Sequence, residues 1–253
     1  MTTLPVRPGA EPFSANGGPH GVLLCHGFTG SPASMRPWAE DLAGRGFTVR
    51  LPRLPGHGTT WQEMNTTTWR DWYAEVDDAL TELGDRCEWV GVAGLSMGGA
   101  LAVRLAQQRP QDVGALALVN PAVGLKRADL KLLPLLRRVT ASYPGISNDI
   151  RKPGQDEVAY DRVPLHAMAS QLELWRDVRT HLGQVTAPLV YFRSTIDHVV
   201  DGLSQTTVLA GVSSTTKELV ELPDSYHVAT LDHDAPTIFE RSAAFFAEHA
   251  PQA

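Results

Sequence analysis

Gly94-Leu95-Ser96-Met97-Gly98-Gly99 joins a largely apolar run, Glu88 to Ala93, to Ala100-Leu101-Ala102-Val103-Arg104-Leu105-Ala106. The run before it reads as a strand and the run after it as a helix, so the residues between must reverse the chain in one tight turn. Glycines two residues to either side of Ser96 let the flanking backbone pass close by without a Cβ in the way. A serine at such a turn is lifted above the sheet with its hydroxyl exposed, which makes Ser96 a candidate nucleophile. The spacing alone also suits a glycine-rich turn that merely packs a helix closely on a strand, so the rest of the chain has to decide.

Strand and helix signals alternate around this turn. Gly21 to Cys25, Phe47 to Leu51, Ala115 to Val119, Pro188 to Phe192 and Lys217 to Leu222 read as further strands. Met35 to Ala43, a helix opening at Thr68 and closing at Gly84, and Thr237 to Glu248 read as helices. That alternation predicts an α/β chain with a mostly parallel central sheet flanked by helices, whose ligands bind beyond the carboxyl ends of the strands. Between Asn120 and Pro188 the connection is about twice what one crossover needs. The surplus predicts a small inserted cap over 121–180, with the core formed by 1–120 and 181–253. The cap carries ten Lys and Arg against seven Asp and Glu. Its start interleaves Leu125, Leu130, Leu132, Leu133, Leu135, Leu136 and Val139 with Lys126, Arg127, Lys131, Arg137 and Arg138. Such a stretch is either an ordinary amphipathic face or a lid that touches lipid.

At 253 residues with a net charge of -6, the chain suits one large domain and argues against nucleic acid as a partner. The first residues carry three prolines and no apolar core after a basic start, so the cytoplasm is the expected compartment. Cys25 falls inside an apolar run and reads as a core residue, and Cys87 has no base nearby to activate it. His57 and His233 lack partners at ligand spacing, and no Gly-x-Gly-x-x-Gly opens a helix, so neither a metal nor a dinucleotide cofactor is expected.

A serine nucleophile needs a base, an acid to orient the base, and backbone donors for an oxyanion. His227 lies in the loop directly after the last predicted strand. Asp197 follows the strand Pro188 to Phe192, with Asp201 as its rival. The order Ser, Asp, His is that of an α/β-hydrolase, in which the oxyanion donors are the N–H after the nucleophile and one from an earlier loop. Those are Met97 and Phe28. His26 reads as a structural residue of that loop.

His26-Gly27-Phe28-Thr29-Gly30-Ser31-Pro32, Leu54-Pro55-Gly56-His57-Gly58, Gly94-Leu95-Ser96-Met97-Gly98-Gly99, Asp197-His198-Val199-Val200 and Ser225-Tyr226-His227-Val228-Ala229-Thr230-Leu231-Asp232 together resemble bacterial monoacylglycerol lipases and their carboxylesterase relatives. The likeness runs from about Gly21 to the C-terminus. It implies a serine hydrolase with a mobile cap, cleaving monoacylglycerols or short to medium chain acyl esters through an acyl-enzyme. By the same resemblance Glu157 would meet the glycerol hydroxyls and Ile146 would line the substrate path, although a solvated acid and a packing residue describe them equally well. An acyltransferase or a cofactor-free haloperoxidase using the same triad, and a non-catalytic ligand receptor, are the other functions compatible with these residues.

Overall fold

The computed structural model describes residues 4–126 and 132–251. Arg127, Leu130 and Lys131 of the basic, leucine-rich stretch therefore lie outside the described residues.

The strands are β1 (Phe13–Ala15), β2 (His20–Cys25), β3 (Thr48–Leu51), β4 (Trp89–Leu95), β5 (Ala115–Val119), β6 (Ser142–Pro144), β7 (Arg162–Pro164), β8 (Leu189–Ser194) and β9 (Lys217–Leu222). The α-helices are α1 (Arg36–Gly44), α2 (Trp61–Met64), α3 (Trp69–Gly84), α4 (Met97–Gln108), α5 (Leu133–Leu136), α6 (Leu165–Thr180), α7 (Gly202–Gly211) and α8 (Ala235–His249). One sheet of seven strands runs β1-β3-β2-β4-β5-β8-β9, and β6 and β7 form a separate antiparallel pair. Within the large sheet only β1 is antiparallel, at the edge against β3.

The strict period of two in a strand divides each central strand between two cores. Leu23, Val92, Leu116, Leu118, Leu189 and Tyr191 point to one face, where α3, α4 and α6 supply Trp72, Val76, Leu101, Leu105, Leu174 and Val178. Val22, Leu24, Ala93, Ala117, Val190 and Phe192 point to the other, where α1 and α8 supply Trp38, Leu42, Phe245 and Phe246. Each large apolar side chain buried in this way is worth about 1.5–3 kcal/mol, and some of the polar atoms enclosed with them find partners across the core. Trp38 Nε1, for example, donates to Ser242 Oγ at 2.9 Å.

The long connection between β5 and β8 divides into two parts of different character. Helix α6 packs on α3 and α4 and places Leu174, Trp175 and Val178 in the same core as β4 and β5. It packs as a crossover helix of the sheet. What stands apart ends at β7. Among the described residues of this excursion Leu132, Leu135, Leu136, Val139, Tyr143 and Ile146 are exposed, beside the exposed Arg138, Arg151 and Lys152. Helix α8 begins two residues earlier than the sequence reading and runs one residue further, to His249.

Candidate active site

The turn after β4 is as tight as its glycines allow. Ser96 takes φ 55° and ψ -118°, a left-handed conformation that a residue with a Cβ adopts only when its surroundings impose it. The imposition comes from close packing of α4 on the sheet. A Cβ on Gly98 would lie 1.9 Å from the Cys25 carbonyl oxygen, and one on Gly94 would meet Gly98 O without room for either. Ser96 N–H donates to Val119 O at 3.0 Å, and Ser96 O receives Ala122 N–H at 2.9 Å, fastening the turn to the end of β5. Ser96 is buried except for the side that opens on the rim of the sheet.

Two neighbouring loops converge there. Gly27, after β2, packs against the elbow: its missing Cβ would sit 3.5 Å from Ser96 Cβ. The amide of the next residue, Phe28, has no acceptor among the described residues. Met97 is the first residue of α4, so its N–H has no carbonyl within the helix to bond. The two amides expected from the sequence to be oxyanion donors thus lie on either side of Ser96, both unspent among the described residues. His26 lies behind them with Nδ1 3.0 Å from Gly27 O and Nε2 accepting from Leu54 N–H at 3.2 Å. Burial pushes its imidazole down to about 4, which fits a neutral structural bridge rather than a second base. Burial also drives the Cys25 thiol up, leaving it inert.

On the other side of Ser96, the loop after β8 presents Asp197, fully buried, to His227. Oδ2 accepts from His227 Nδ1 at 3.0 Å, and Oδ1 accepts the N–H groups of Val199 at 2.9 Å and Val200 at 2.8 Å. Burial alone would raise this carboxyl, but His227 and the two amides hold it below its ordinary range. Burial alone would likewise lower the imidazole. The carboxylate of Asp197, joined by Glu157 and Asp149, instead holds His227 above its usual value. The ring is therefore fixed with Nδ1 as donor and Nε2 left to face the rim. Among the described residues no hydrogen bond joins Ser96 Oγ to His227 Nε2; catalytic contacts of this kind often tighten only along the reaction. Asp201, the rival acid, is spent elsewhere: it caps α7 through Leu203 N–H at 2.8 Å and accepts Lys126 N–H at 2.6 Å.

Several residues that support this site are not among the candidates the sequence singled out for a role in it. Asn120, at φ 42°, donates from Nδ2 to His227 O and to Ser194 Oγ, both at 2.9 Å, and so ties the base loop to the ends of β5 and β8. Asp149 accepts from His227 N–H and His198 N–H at 3.2 Å and contacts His198 Nδ1 at 2.8 Å. Asp232 collects the amides of Arg151, Lys152, Tyr226 and His233. Arg193, at the end of β8, bonds to Asp197. For Asp232 the sequence signal was its place at the end of the Ser225 to Asp232 motif. For Asn120 and Arg193 the sequence carried none.

The cap residues separate. Glu157 Oε1 accepts Asn148 N–H at 2.7 Å, and Oε2 faces Gly30 of the Phe28 loop, so its carboxyl hangs over the rim. Burial raises its proton affinity above that of an ordinary glutamate. Ile146 is 60% exposed, beyond the β6–β7 pair. Among the described residues no cluster of His, Cys, Asp and Glu is arranged to hold a metal ion, and no helix is long and apolar enough to cross a membrane.

Residues 19–234 match the sequence profile of the serine aminopeptidase S33 family. The chain is 44% identical over 250 residues to a thermostable monoacylglycerol lipase of Bacillus sp. strain H-257, covering 97% of this chain and 98% of that one. It is 26% identical to a carboxylesterase of Bacillus subtilis strain 168 over 91% of this chain and 93% of the relative. Among solved structures, one from the metagenome-derived lipolytic enzymes LipS and LipT superposes with a TM-score of 0.94 at 42% identity, over 97% of this chain and all of that one. A monoacylglycerol lipase of Paleococcus ferrophilus shares the fold with a TM-score of 0.80 at 21% identity, over 95% of this chain and all of that one.

Proposed function

The chain belongs to the serine aminopeptidase S33 family of α/β-hydrolases and is a carboxylic ester hydrolase, and we propose that it cleaves monoacylglycerols through an acyl-enzyme made on Ser96. The observation that carries this reading is the buried Asp197 Oδ2 to His227 Nδ1 contact of 3.0 Å, aimed along the same rim as the strained Ser96 elbow.

In the proposed reaction Ser96 Oγ attacks the ester carbonyl carbon and passes its proton to His227 Nε2. The carbonyl oxygen, now negative, moves between the N–H groups of Phe28 and Met97, which were unpaired beforehand and cost no reorganisation to use. Collapse expels the alcohol, which takes its proton from His227. Water then attacks the acyl-enzyme with His227 again as base, and the acid leaves with Ser96 restored. Asp197 keeps the imidazole in one tautomer and stabilises its charged form throughout.

Glu157 supports glycerol as the alcohol. Its carboxyl, with a proton affinity raised by burial and only Asn148 N–H bonded to it among the described residues, hangs beside the oxyanion loop where a leaving alcohol's remaining hydroxyls would fall. The exposed leucines of the excursion support contact with lipid assemblies, from which an insoluble monoacylglycerol would be drawn. Both cysteines are free, which fits work in the cytoplasm. The test is Ser96→Ala, assayed on monoacylglycerols and on p-nitrophenyl esters of rising chain length. The expected loss in kcat is about six orders of magnitude on every ester. Retention of a tenth of wild-type activity, or failure of a fluorophosphonate to label Ser96 in the wild-type protein, would sink the assignment.

A further inference from the structure

The carboxylate that orients His227 is shared. Asp197 Oδ2 receives His227 Nδ1 at 3.0 Å and Arg193 Nη1 at 2.9 Å on the same oxygen. Arg193 Nη2 also donates to Val200 O at 2.9 Å, so the guanidinium ties Asp197 to the far end of the acid loop. Its side chain is 14% exposed and that of Asp197 is fully enclosed, so the charges act on one another through protein more than through water.

The surroundings of His227 make this cation matter. Three carboxylates face the ring: Asp197 from the loop after β8, and Glu157 and Asp149 from the excursion. Asp149 is occupied by His198, and Tyr191 on β8 faces Asp197 and Arg193 with a hydroxyl whose ionisation burial suppresses. Among the described residues, Arg193 is the only guanidinium or ammonium bonded to any of the three carboxylates.

We propose that Arg193 is a positioning residue that sets the proton affinity of His227 through Asp197. By occupying Oδ2 and balancing part of the carboxylate's charge, it weakens the pull of Asp197 on the imidazolium. His227 consequently reaches its neutral, proton-accepting form at lower pH than a triad without the cation would allow. The proposal rests on Ser96, His227 and Asp197 acting as nucleophile, base and acid. A brace for the loop Thr195 to Val200 would use the same contacts without touching the base's titration.

The sign follows from the base's task. His227 must be neutral to accept the serine proton, so kcat/KM falls as pH drops through its pKa. Removing the guanidinium stabilises the imidazolium further and moves that acid limb upward. A like charge displaced from beside the pair shifts the limb by about one pH unit. The experiment is the pH profile of kcat/KM for the full chain on a soluble p-nitrophenyl ester, with Arg193→Gln, Arg193→Met and Arg193→Lys. The Gln and Met variants should raise the midpoint by about one unit, and Lys, which keeps the charge, should stay within about a third of a unit of wild type. A folded Gln or Met variant whose midpoint matches wild type, whatever its plateau rate, overturns the proposal and leaves Arg193 a brace. Two neutral variants are used because either one could fail to fold, and thermal unfolding reports which did. Fluorophosphonate labelling of Ser96 in each variant keeps the two readings apart. Labelling with an unmoved midpoint removes the role of Arg193 alone, whereas absent labelling in wild type removes the triad beneath it.

Discussion

Gly98→Ala is the substitution that most directly tests how the elbow is held. The new Cβ would stand 1.9 Å from Cys25 O and 2.6 Å from His26 O, both backbone atoms of β2 and its following loop. Ordinary contact begins near 3.4 Å, so α4 and β2 must part by about 1.5 Å, and neither can yield by rotating a side chain. The strain falls between the two elements that carry the oxyanion donors, because Met97 precedes Gly98 and Phe28 lies two residues past His26. Overpacking of this kind costs about 1–3 kcal/mol, which for a chain of this size lowers Tm by about 2–4 °C per kcal/mol. A misplacement of about 1 Å in a reacting geometry costs about 10²-fold in rate. The expected protein is folded, less stable, and at least about 10²-fold slower on p-nitrophenyl butyrate, with the loss in kcat. Gly84→Ala is the control: nothing lies within 4 Å of its Cβ at the end of α3, and it should gain up to about 1 kcal/mol from lost chain entropy. Wild-type kcat/KM and Tm in Gly98→Ala would show that the close approach does not hold the elbow, and the account of Ser96 given above would fall with it.

Asp197→Asn should lower kcat by about 10⁴ by freeing the wrong tautomer of His227, measured on a soluble ester, while Asp201→Ala should leave kcat within about threefold and cost about 1 kcal/mol through the lost α7 cap. Equal losses in the two variants would contradict the assignment of the acid. Leu135→Ser with Val139→Ser, at two side chains that are 63% and 77% exposed, should slow hydrolysis of monoacylglycerol in vesicles by about tenfold and leave soluble p-nitrophenyl esters unchanged. Equal slowing of both substrates would mean that the patch shapes the enzyme rather than its contact with lipid.

The parts of the site that the chain announces are those tied to a local pattern. A strand, glycine turn and helix placed Ser96, and strand ends placed Asp197 and His227 on one rim, because periodicity reports which end of an element a loop occupies. The choice between Asp197 and Asp201 was not local: both follow β8, and only the fold shows one paired with His227 and the other capping α7. That helix α6 shares the core of β4 and β5 was hidden for a related reason. Helix α6 buries Ser170 and Gln171 beside Leu174 and Val178, so its inward face is partly polar and its stripe does not stand out in sequence. Strand β1 has three residues, too few for alternation to register. Arg193 and Asn120 act through contacts that depend on how three strands end together, which no spacing along the chain records.

The excursion rests on two feet. Residues 149–152 are bonded to the base loop through Asp149 and Asp232, and residues 157–160 to the oxyanion loop through Ser31 Oγ to Glu157 O and Tyr160 N–H to Thr29 O. A stretch anchored in this way cannot swing without dragging His227 or Phe28 with it. Exchange of sequence between relatives is therefore safe above the feet and hazardous at them: a graft spanning 132–146 changes what the enzyme meets, and one carried past 148 rewrites the catalyst.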